Sequence, residues 1–577
     1  MALLQTQHSP PQSYSSRAKT RVHHGAQTLV HHLKRHVGVG IICSVAYFDP
    51  GNWSVDLQAG SSFGYRPMLF VILMAGLGAI ILQTLACKLG CVTGLDLASH
   101  CRLLLHDHPR HPKLVRRLVL YPLYVLSEIA IIATDLAELL GSAIGFCLLF
   151  PKLPLWAGVI LTAADVLIFL SFSDPTRGQG RPVRMFEYTI IGLVFAVFAC
   201  FVALLVKAGP DWSDVFMGYI PDKALFQSEP DAVYIAVGIL GATVMPHALF
   251  LGSSLATQDR VSDAPPEDEE LPSPAVAPLT TWTKIRRLIT SLFRIGRAER
   301  AASSIDYRSK YGERENSSLT FINQHLSHGI ADVVTSLIAL AVPINSAILI
   351  LAAAVFFQGT GENRDSPAGL FEAHELIETR IGGAAATIFA LALVCAGQTS
   401  SITVTLAGQI VSEGFIEWKI SPFLRRFITR CISLVPSMVV AIAVGREGIN
   451  TLLVASQVIL SVVLPFVAFP LIYLTSTELV MRVRKPPPEI IGTEVSPISE
   501  PEQAQNESAV DFEIEKLEVA DPVIQTMKIA QEPQLGRGVL TEYVDFSNGR
   551  ILTSLSYVIW CIVLIANAYA IVMLFVR

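Results

Sequence analysis

The sequence contains few charged residues. Asp, Glu, Lys and Arg make up 16% of its 577 residues, against roughly 25% in average globular proteins. A water-soluble protein of this length could not cover its surface with so few charges. The shortage excludes a soluble enzyme, a nucleic-acid-binding protein and a disordered scaffold.

Cysteine pairs of the metal-binding or redox type are missing as well. The nine cysteines lie mostly in or beside apolar runs and form no CxxC pair, so we expect small buried residues rather than disulfides or a zinc site. Motifs of soluble catalysis are also missing: no HExxH sequence, phosphate-binding loop or nucleophile–base pair stands out. We expect neither an enzyme nor a resident cofactor.

Long apolar runs take the place of the missing charges. Hydrophobic residues make up 52% of the chain, and a helix that spans a bilayer needs about 20 mostly apolar residues. We predict an all-α, multi-pass integral membrane protein embedded in the lipid bilayer. The predicted spans are 37–64, 67–92, 118–147, 154–172, 185–207, 232–257, 328–357, 382–412, 431–445, 449–478 and 551–576.

Polar segments separate these spans into blocks. Segments rich in Ser, Gln, Glu and Pro have no core of their own and are predicted to be largely disordered; the N-terminal one has no signal peptide. The predicted order is a cytoplasmic tail at 1–36, helices one to six within 37–257, a cytoplasmic loop at 258–327, helices seven to ten within 328–480, a second cytoplasmic loop at 481–549 and the eleventh helix within 550–577.

Positive charge indicates the orientation. Loop 174–184 carries three arginines, whereas 208–231 carries five acidic residues against one lysine. Because short cytoplasmic loops are enriched in Lys and Arg, the N-terminus is expected in the cytoplasm.

The first and sixth spans each carry a proline and an ionisable residue at mid-depth. In span one an apolar half is followed by Asp49-Pro50-Gly51-Asn52, and in span six by Met245-Pro246-His247. An Asp at the centre of a span costs on the order of 3 kcal/mol on insertion scales. Proline removes a backbone donor and glycine loosens the chain, so both helices should break here. Either motif alone could be a proline kink beside a buried polar residue.

Matching breaks in spans one and six are what an inverted five-plus-five helix repeat produces. The backbone groups that each break frees need a cavity or a ligand. In such repeats the substrate binds where the two breaks meet. We therefore predict two repeats of five helices, with helices 1 and 6 broken, followed by an eleventh helix.

The breaks offer a mixed set of ligands. The set comprises the Asp49 carboxylate, the Asn52 carbonyl, the Met245 thioether and freed backbone carbonyls such as that of Ala242. Carboxylate and carbonyl oxygens suit hard divalent cations, and a thioether adds affinity for Mn²⁺, Fe²⁺, Co²⁺ or Cd²⁺ over Ca²⁺ and Mg²⁺. We predict a divalent transition-metal ion. One alternative is a Na⁺- or H⁺-coupled carrier of the same fold for an organic solute such as an amino acid, although the motif is poor in partners for an amino acid's carboxylate. The other is a metal sensor or receptor that signals through the long loops.

Three carboxylates lie on one face of span three. Glu128, Asp135 and Glu138 are offset by 7 and 10 residues, which at about 100° per residue places them within an arc of roughly 80°. Such groups are costly unless they line water or pair with cations, which suits a proton relay with Arg430 as a partner. His247 is the mid-membrane imidazole near the site, and an arriving dication would favour release of its proton. The alternatives are a structural ion-pair cluster and a hydrogen-bonded structural histidine.

At this point the sequence resembles the Nramp divalent-metal transporters, and among them the fungal members. The two broken-helix motifs are similar to the family's paired signatures. Further similar stretches are KLGCVTGLDL (88–97), ATDLAELLG (133–141), GQTSSITVTLAGQIVSEGF (397–415) and SQVILSVVLPF (456–466).

The resemblance implies a LeuT-like fold that imports Mn²⁺ or Fe²⁺ together with protons by alternating access, and we expect a monomer. It implies metal ligation by Asp49, Asn52, Met245 and the Ala242 carbonyl, with Gln457 joining in some states. It implies a proton path through Asp49, His247, Glu128, Asp135, Glu138 and Arg430.

One departure affects the proton path. Many members carry a second His five residues after the first, where this chain has Gly252. A proton role for that second His cannot apply here. Neither the choice between Mn²⁺ and Fe²⁺ nor that between a plasma membrane and an endosomal or vacuolar membrane follows from the sequence.

Overall fold

The apolar segments of the chain form helices in the computed structural model. The structure describes residues 37–172, 181–227, 231–260, 315–357, 369–417, 421–443, 445–485 and 542–576. Within these ranges nine helices are long and apolar enough to cross a membrane. A shorter apolar helix lies at Leu155–Leu170, and a helix broken into two halves lies at the start. With these two, the described residues contain eleven apolar helical segments.

The helices are numbered here in chain order. They are α1 (Val39–Val45), α2 (Pro50–Phe63), α3 (Met68–Thr93), α4 (Leu97–Leu105), α5 (Pro112–Leu149), α6 (Leu155–Phe172), α7 (Arg181–Ala208), α8 (Trp212–Gly218), α9 (Ala232–Thr243), α10 (Pro246–Leu255), α11 (Leu319–Phe357), α12 (Leu370–Arg380), α13 (Gly383–Ile416), α14 (Pro422–Ala443), α15 (Gly445–Ser476), α16 (Glu478–Met481) and α17 (Arg550–Val576).

The predicted breaks in spans one and six are both confirmed. α1 ends at Val45 and α2 begins at Pro50, while α9 ends at Thr243 and α10 begins at Pro246. In each case the residue before the proline is extended, with ψ of 168° at Asp49 and 129° at Met245. The proline ring disfavours the helical conformation in the preceding residue, and proline suits the first position of the helix that follows.

Two helices begin nine residues earlier than the sequence predicts. α11 begins at Leu319 rather than at 328, and α14 at Pro422 rather than at 431. The added turns carry polar side chains, among them His325, Arg425 and Arg426, which lower the local hydropathy. All three are buried within the protein, so the hydropathy of these turns says little about where the helices begin.

The predicted tail and most of both predicted loops lie outside the described residues. At the ends of the second loop, β1 (Arg482–Arg484) pairs antiparallel with β2 (Tyr543–Asp545), and Val483 lies opposite Val544. The described edge of 481–549 is therefore a two-stranded ribbon.

The ribbon connects the ends of several helices. The Asn316 side-chain amide, just before α11, donates to the carbonyls of Val480 and Arg482 at 2.8 and 2.9 Å. Lys88 of α3 donates to Asn548 Oδ1 at 2.8 Å. These bonds link the start of α11 to α16 and β1, and α3 to the segment just before α17.

Both halves of the first helix are held in place by other helices. The Asp332 carboxylate of α11 accepts the backbone N–H groups of Gly40 at 2.7 Å and Gly38 at 3.3 Å, at the start of α1. Trp53 of α2 packs edge-on against Phe201 and Phe389, with ring centroids 4.7 and 5.4 Å away. The gap between the two halves is thereby fixed inside the bundle.

Candidate functional site

Asp49 caps α2 with one carboxylate oxygen and leaves the other free. Oδ1 accepts the backbone N–H of Asn52 at 2.8 Å, which is the usual bond of a helix N-cap. Oδ2 is buried and has no hydrogen-bond partner among the described residues. Asp49 is fully buried, so this oxygen is available for a ligand that enters the break.

The Tyr47 carbonyl, which the first break frees, orients the Asn52 side chain. Its Nδ2 donates to the Tyr47 carbonyl at 2.5 Å, and Nδ2 of Asn345 donates to the same oxygen at 2.6 Å. Because Nδ2 must point at this acceptor, Oδ1 points elsewhere, and it is buried without a partner in the described structure. The break thus presents two acceptor oxygens, one from Asp49 and one from Asn52.

The second break contributes a thioether and a carbonyl. Met245 lies between α9 and α10 and is fully buried. In a continuous helix the Ala242 carbonyl would accept the N–H of residue 246, but Pro246 has none. The proline therefore leaves the Ala242 carbonyl without its usual helical donor.

Gln457 of α15 lies between the two breaks. A Cβ on Gly51 would overlap its side-chain amide, and a Cβ on Gly241 would overlap its backbone carbonyl. Two glycines, one in the first break and one beside the second, therefore let both helices approach the same turn of α15. Gln457 Oε1 is buried and has no hydrogen-bond partner among the described residues.

The donor atoms at the breaks define what the site can bind. In the described part of the chain no three His, Cys, Asp or Glu side chains are grouped so that they could hold a metal ion. A metal at the breaks would therefore be held by fewer than three such side chains. Asp49 would supply a carboxylate, and amide and carbonyl oxygens and a sulfur would complete the coordination. That mixture suits a divalent cation that must also leave the site.

The carboxylates predicted on span three divide between two arginines. Arg430 of α14 pairs with Asp135 and donates from Nη2 to Ser401 Oγ at 2.6 Å. Glu138 is close enough to interact electrostatically with Arg430 and Asp49. The Glu138 carboxylate is fully buried. Asp135 and Glu138 thus form a line from the first break to Arg430.

Glu128 lies apart from that line. It interacts with Tyr124 and with Arg425 rather than with Arg430. Arg425 in turn pairs with Glu413 of α13. The structure therefore associates Glu128 with a second arginine at the beginning of α14.

His247 follows Pro246 in the first turn of α10. It is 1% exposed, and neither ring nitrogen has a hydrogen-bond partner among the described residues. A histidine held by structural hydrogen bonds, the alternative reading of the sequence, would show such a partner.

The sequence reasoning missed three buried polar residues near the first break. Asp56 lies seven residues after Asp49 on the same helix face, and its Oδ2 is buried without a partner in the described structure. Asn345 holds the Tyr47 carbonyl and Asp332 holds the start of α1. Asp49 was identified as a polar residue inside an apolar span. The same criterion, applied to span seven, identifies Asp332 and Asn345.

Comparison with known proteins decides the family. The chain matches the family model described as natural resistance-associated macrophage protein-like (Nramp) over residues 40–488. The chain belongs to the Nramp family. The family consists of transporters, so the chain is not an enzyme, and its apolar helices are those of a multi-pass integral membrane protein.

Several relatives cover most of the chain. The Nramp protein described here is 36% identical to the iron transporter SMF3 of Saccharomyces cerevisiae, over 93% of this chain and 95% of the relative. It is 39% identical to the manganese transporter pdt1 of Schizosaccharomyces pombe, over 78% of this chain and 76% of that one. The predicted resemblance to fungal Nramp proteins is therefore confirmed.

A solved structure supports the fold. A crystal structure of an Eremococcus coleocola manganese transporter in complex with an aromatic bis-isothiourea compound matches with a TM-score of 0.62 and 26% identity, covering 92% of this chain and 85% of that one. The predicted all-α membrane fold is confirmed, with helices 1 and 6 broken and an eleventh helix after the first ten.

Proposed function

We propose that this Nramp protein is a proton-coupled secondary transporter that carries divalent transition-metal ions such as Mn²⁺ and Fe²⁺ into the cytosol by alternating access. The observation that carries the proposal is the set of three buried acceptor oxygens without hydrogen-bond partners in the described structure, on Asp49, Asn52 and Gln457, at two helix breaks that also hold a buried thioether. The relatives named for iron and manganese transport support the same cargo.

The metal ligands we propose are Asp49, Asn52, Met245 and the Ala242 carbonyl, with Gln457 joining in some states. One carboxylate neutralises half of the dication's charge, so the site binds the ion weakly enough to release it. Met245 supplies the soft ligand that favours transition metals over Ca²⁺ and Mg²⁺.

Protons follow a route beside the metal. A dication near Asp49 displaces a proton from the surrounding acceptors, and the buried Glu138 carboxylate lies close enough to interact with that charge. We assign the onward path to Asp135 and Arg430, then to Glu128, which lies apart from them beside Arg425, and a further proton-accepting role to His247.

The proposed orientation places the N-terminus and the ends of α3, α10 and α15 on the cytoplasmic side, following the positive-inside rule. The tail 1–36 and the loops 258–327 and 481–549 would then be cytoplasmic. The protein would work as a monomer in a plasma membrane or an endosomal or vacuolar membrane.

The experiment that tests the site is Asp49→Asn in proteoliposomes. Asn is as good an N-cap as Asp, so α2 keeps its cap while the site loses its one carboxylate. We expect Mn²⁺ uptake to fall to the level of empty liposomes while the melting temperature in detergent stays close to that of the wild type. Mn²⁺ uptake at the wild-type rate would overturn the site assignment.

A further inference from the structure

Pro465 leaves a carbonyl of α15 without its helical donor. In a continuous α-helix the Ser461 carbonyl accepts the N–H of residue 465. Pro465 lies inside α15, so it has no N–H to offer, and its ring crowds the carbonyl four residues earlier. Ser461 is fully buried, and an unsatisfied carbonyl at such a depth is costly.

Asn567 of α17 supplies the missing donor. Its Nδ2 donates to the Ser461 carbonyl at 2.6 Å, and the side chain is buried. α17 is the eleventh helix, outside the two five-helix repeats that form the breaks. An amide inside an apolar helix is costly, and this bond offsets that cost because the amide replaces the backbone donor that Pro465 removed.

The turn held by Asn567 is the turn that carries Gln457. Gly241 packs against both ends of this turn, since a Cβ there would overlap the Gln457 carbonyl oxygen and approach the Ser461 backbone nitrogen to 2.7 Å. On the other side of the turn, the Gln457 side chain fits against Gly51. Residues 457–461 are therefore held between α9 and α17, and their position decides where Gln457 Oε1 points.

We propose that Asn567 is a positioning residue for metal binding: by capping the carbonyl that Pro465 frees, it holds Gln457 in register with both helix breaks. The inference rests on the proposed function, because its consequence is a change in metal affinity. It gives the eleventh helix a role in the substrate site that it does not touch.

The test is a double-mutant cycle between Asn567→Leu and Pro465→Ala. Asn567→Leu should raise the KM for Mn²⁺ in proteoliposomes about tenfold, equivalent to about 1.4 kcal/mol, with little change in maximal rate. Pro465→Ala restores the backbone N–H, so Asn567→Leu in that background should change KM by less than about twofold. An equal loss in both backgrounds would show that Asn567 does not replace the proline's missing donor and would overturn the proposal.

A second pair of variants separates positioning from general loosening of the helix contact. Trp560→Phe removes a different hydrogen bond from α17 to α15, from Trp560 Nε1 to the Pro465 carbonyl at 2.9 Å, and should leave KM for Mn²⁺ unchanged. In a Gln457→Ala background, Asn567→Leu should add no further rise in KM, because the group it positions is gone. A further rise there would contradict the proposal.

The failure of this proposal is distinguishable from that of the proposed function. Wild-type uptake of Mn²⁺ with no effect of Asn567→Leu on KM overturns the role of Asn567 alone. No Mn²⁺ uptake by the wild-type protein overturns the proposed function and, with it, this proposal.

Discussion

Asn52 serves both the fold and the site. Its amide nitrogen occupies the Tyr47 carbonyl that the break frees, and this leaves its amide oxygen as an unpartnered acceptor in the described structure. Asp49 divides its carboxylate in the same way between a helix cap and a free oxygen. The groups that stabilise the broken helix are thus the groups that would bind the ion, so fold and site cannot be changed independently here.

Met245 offers a test of selectivity at the scale of one side chain. Met245→Ala should retain Mn²⁺ uptake and admit Ca²⁺ or Mg²⁺ better, because the other proposed ligands are all hard oxygens. Competition of Ca²⁺ against Mn²⁺ uptake measures the change. Met68→Ala is the matched control: Met68 is equally buried, and removing it should cost about 2–5 kcal/mol of stability without altering selectivity. Unchanged selectivity in Met245→Ala would refute the soft-ligand argument.

His247 offers a test of the proton route. With no hydrogen-bond partner on either ring nitrogen in the described structure, the imidazole is free to exchange a proton without breaking a structural bond. His247→Ala should therefore alter the pH dependence of Mn²⁺ uptake more than the KM for Mn²⁺. Uptake measured between pH 5 and pH 8, the range in which His ordinarily titrates, decides the matter. A pH profile that matches the wild type would remove His247 from the route.

At the scale of elements, the broken helices could be predicted because their causes are local. Proline, glycine and aspartate in an apolar run are visible in the sequence, and so is the repetition of that pattern in the sixth span. The early starts of α11 and α14 could not be predicted in this way, because their polar side chains are buried by other helices. The contact of Gln457 with Gly51 and Gly241 depends on helix packing, which no local pattern records.

The half-helix α1 depends on a cap from another helix, and this can be tested. Asp332→Ala removes the acceptor of the Gly38 and Gly40 N–H groups. A cap is worth about 1 kcal/mol, so we expect amide hydrogen exchange in Val39–Val45 to become about fivefold faster. Ser318→Ala is the control, since Ser318 caps its own helix α11 at Phe321. Equal protection of α1 in wild type and Asp332→Ala would contradict this account of α1.

At the scale of the whole molecule, the β-ribbon and the eleventh helix lie outside the two repeats but are bonded to them. Asn316, just before α11, donates to the Arg482 carbonyl of the ribbon, and Lys88 of α3 donates to Asn548, which lies between the ribbon and the eleventh helix. The eleventh helix bonds to α15 near Gln457. These bonds tie both additions to the helices of the two repeats.

The measurement that tests the central claim most directly is metal uptake by the purified protein in liposomes, with and without an inward proton gradient. Mn²⁺, Fe²⁺, Zn²⁺, Ca²⁺ and Mg²⁺ are compared while a trapped dye reports internal pH. The account predicts uptake of Mn²⁺ and Fe²⁺ that the gradient accelerates and that acidifies the interior, with Ca²⁺ and Mg²⁺ excluded. Absence of Mn²⁺ and Fe²⁺ uptake, or uptake that neither discriminates against Ca²⁺ nor moves protons, would contradict it.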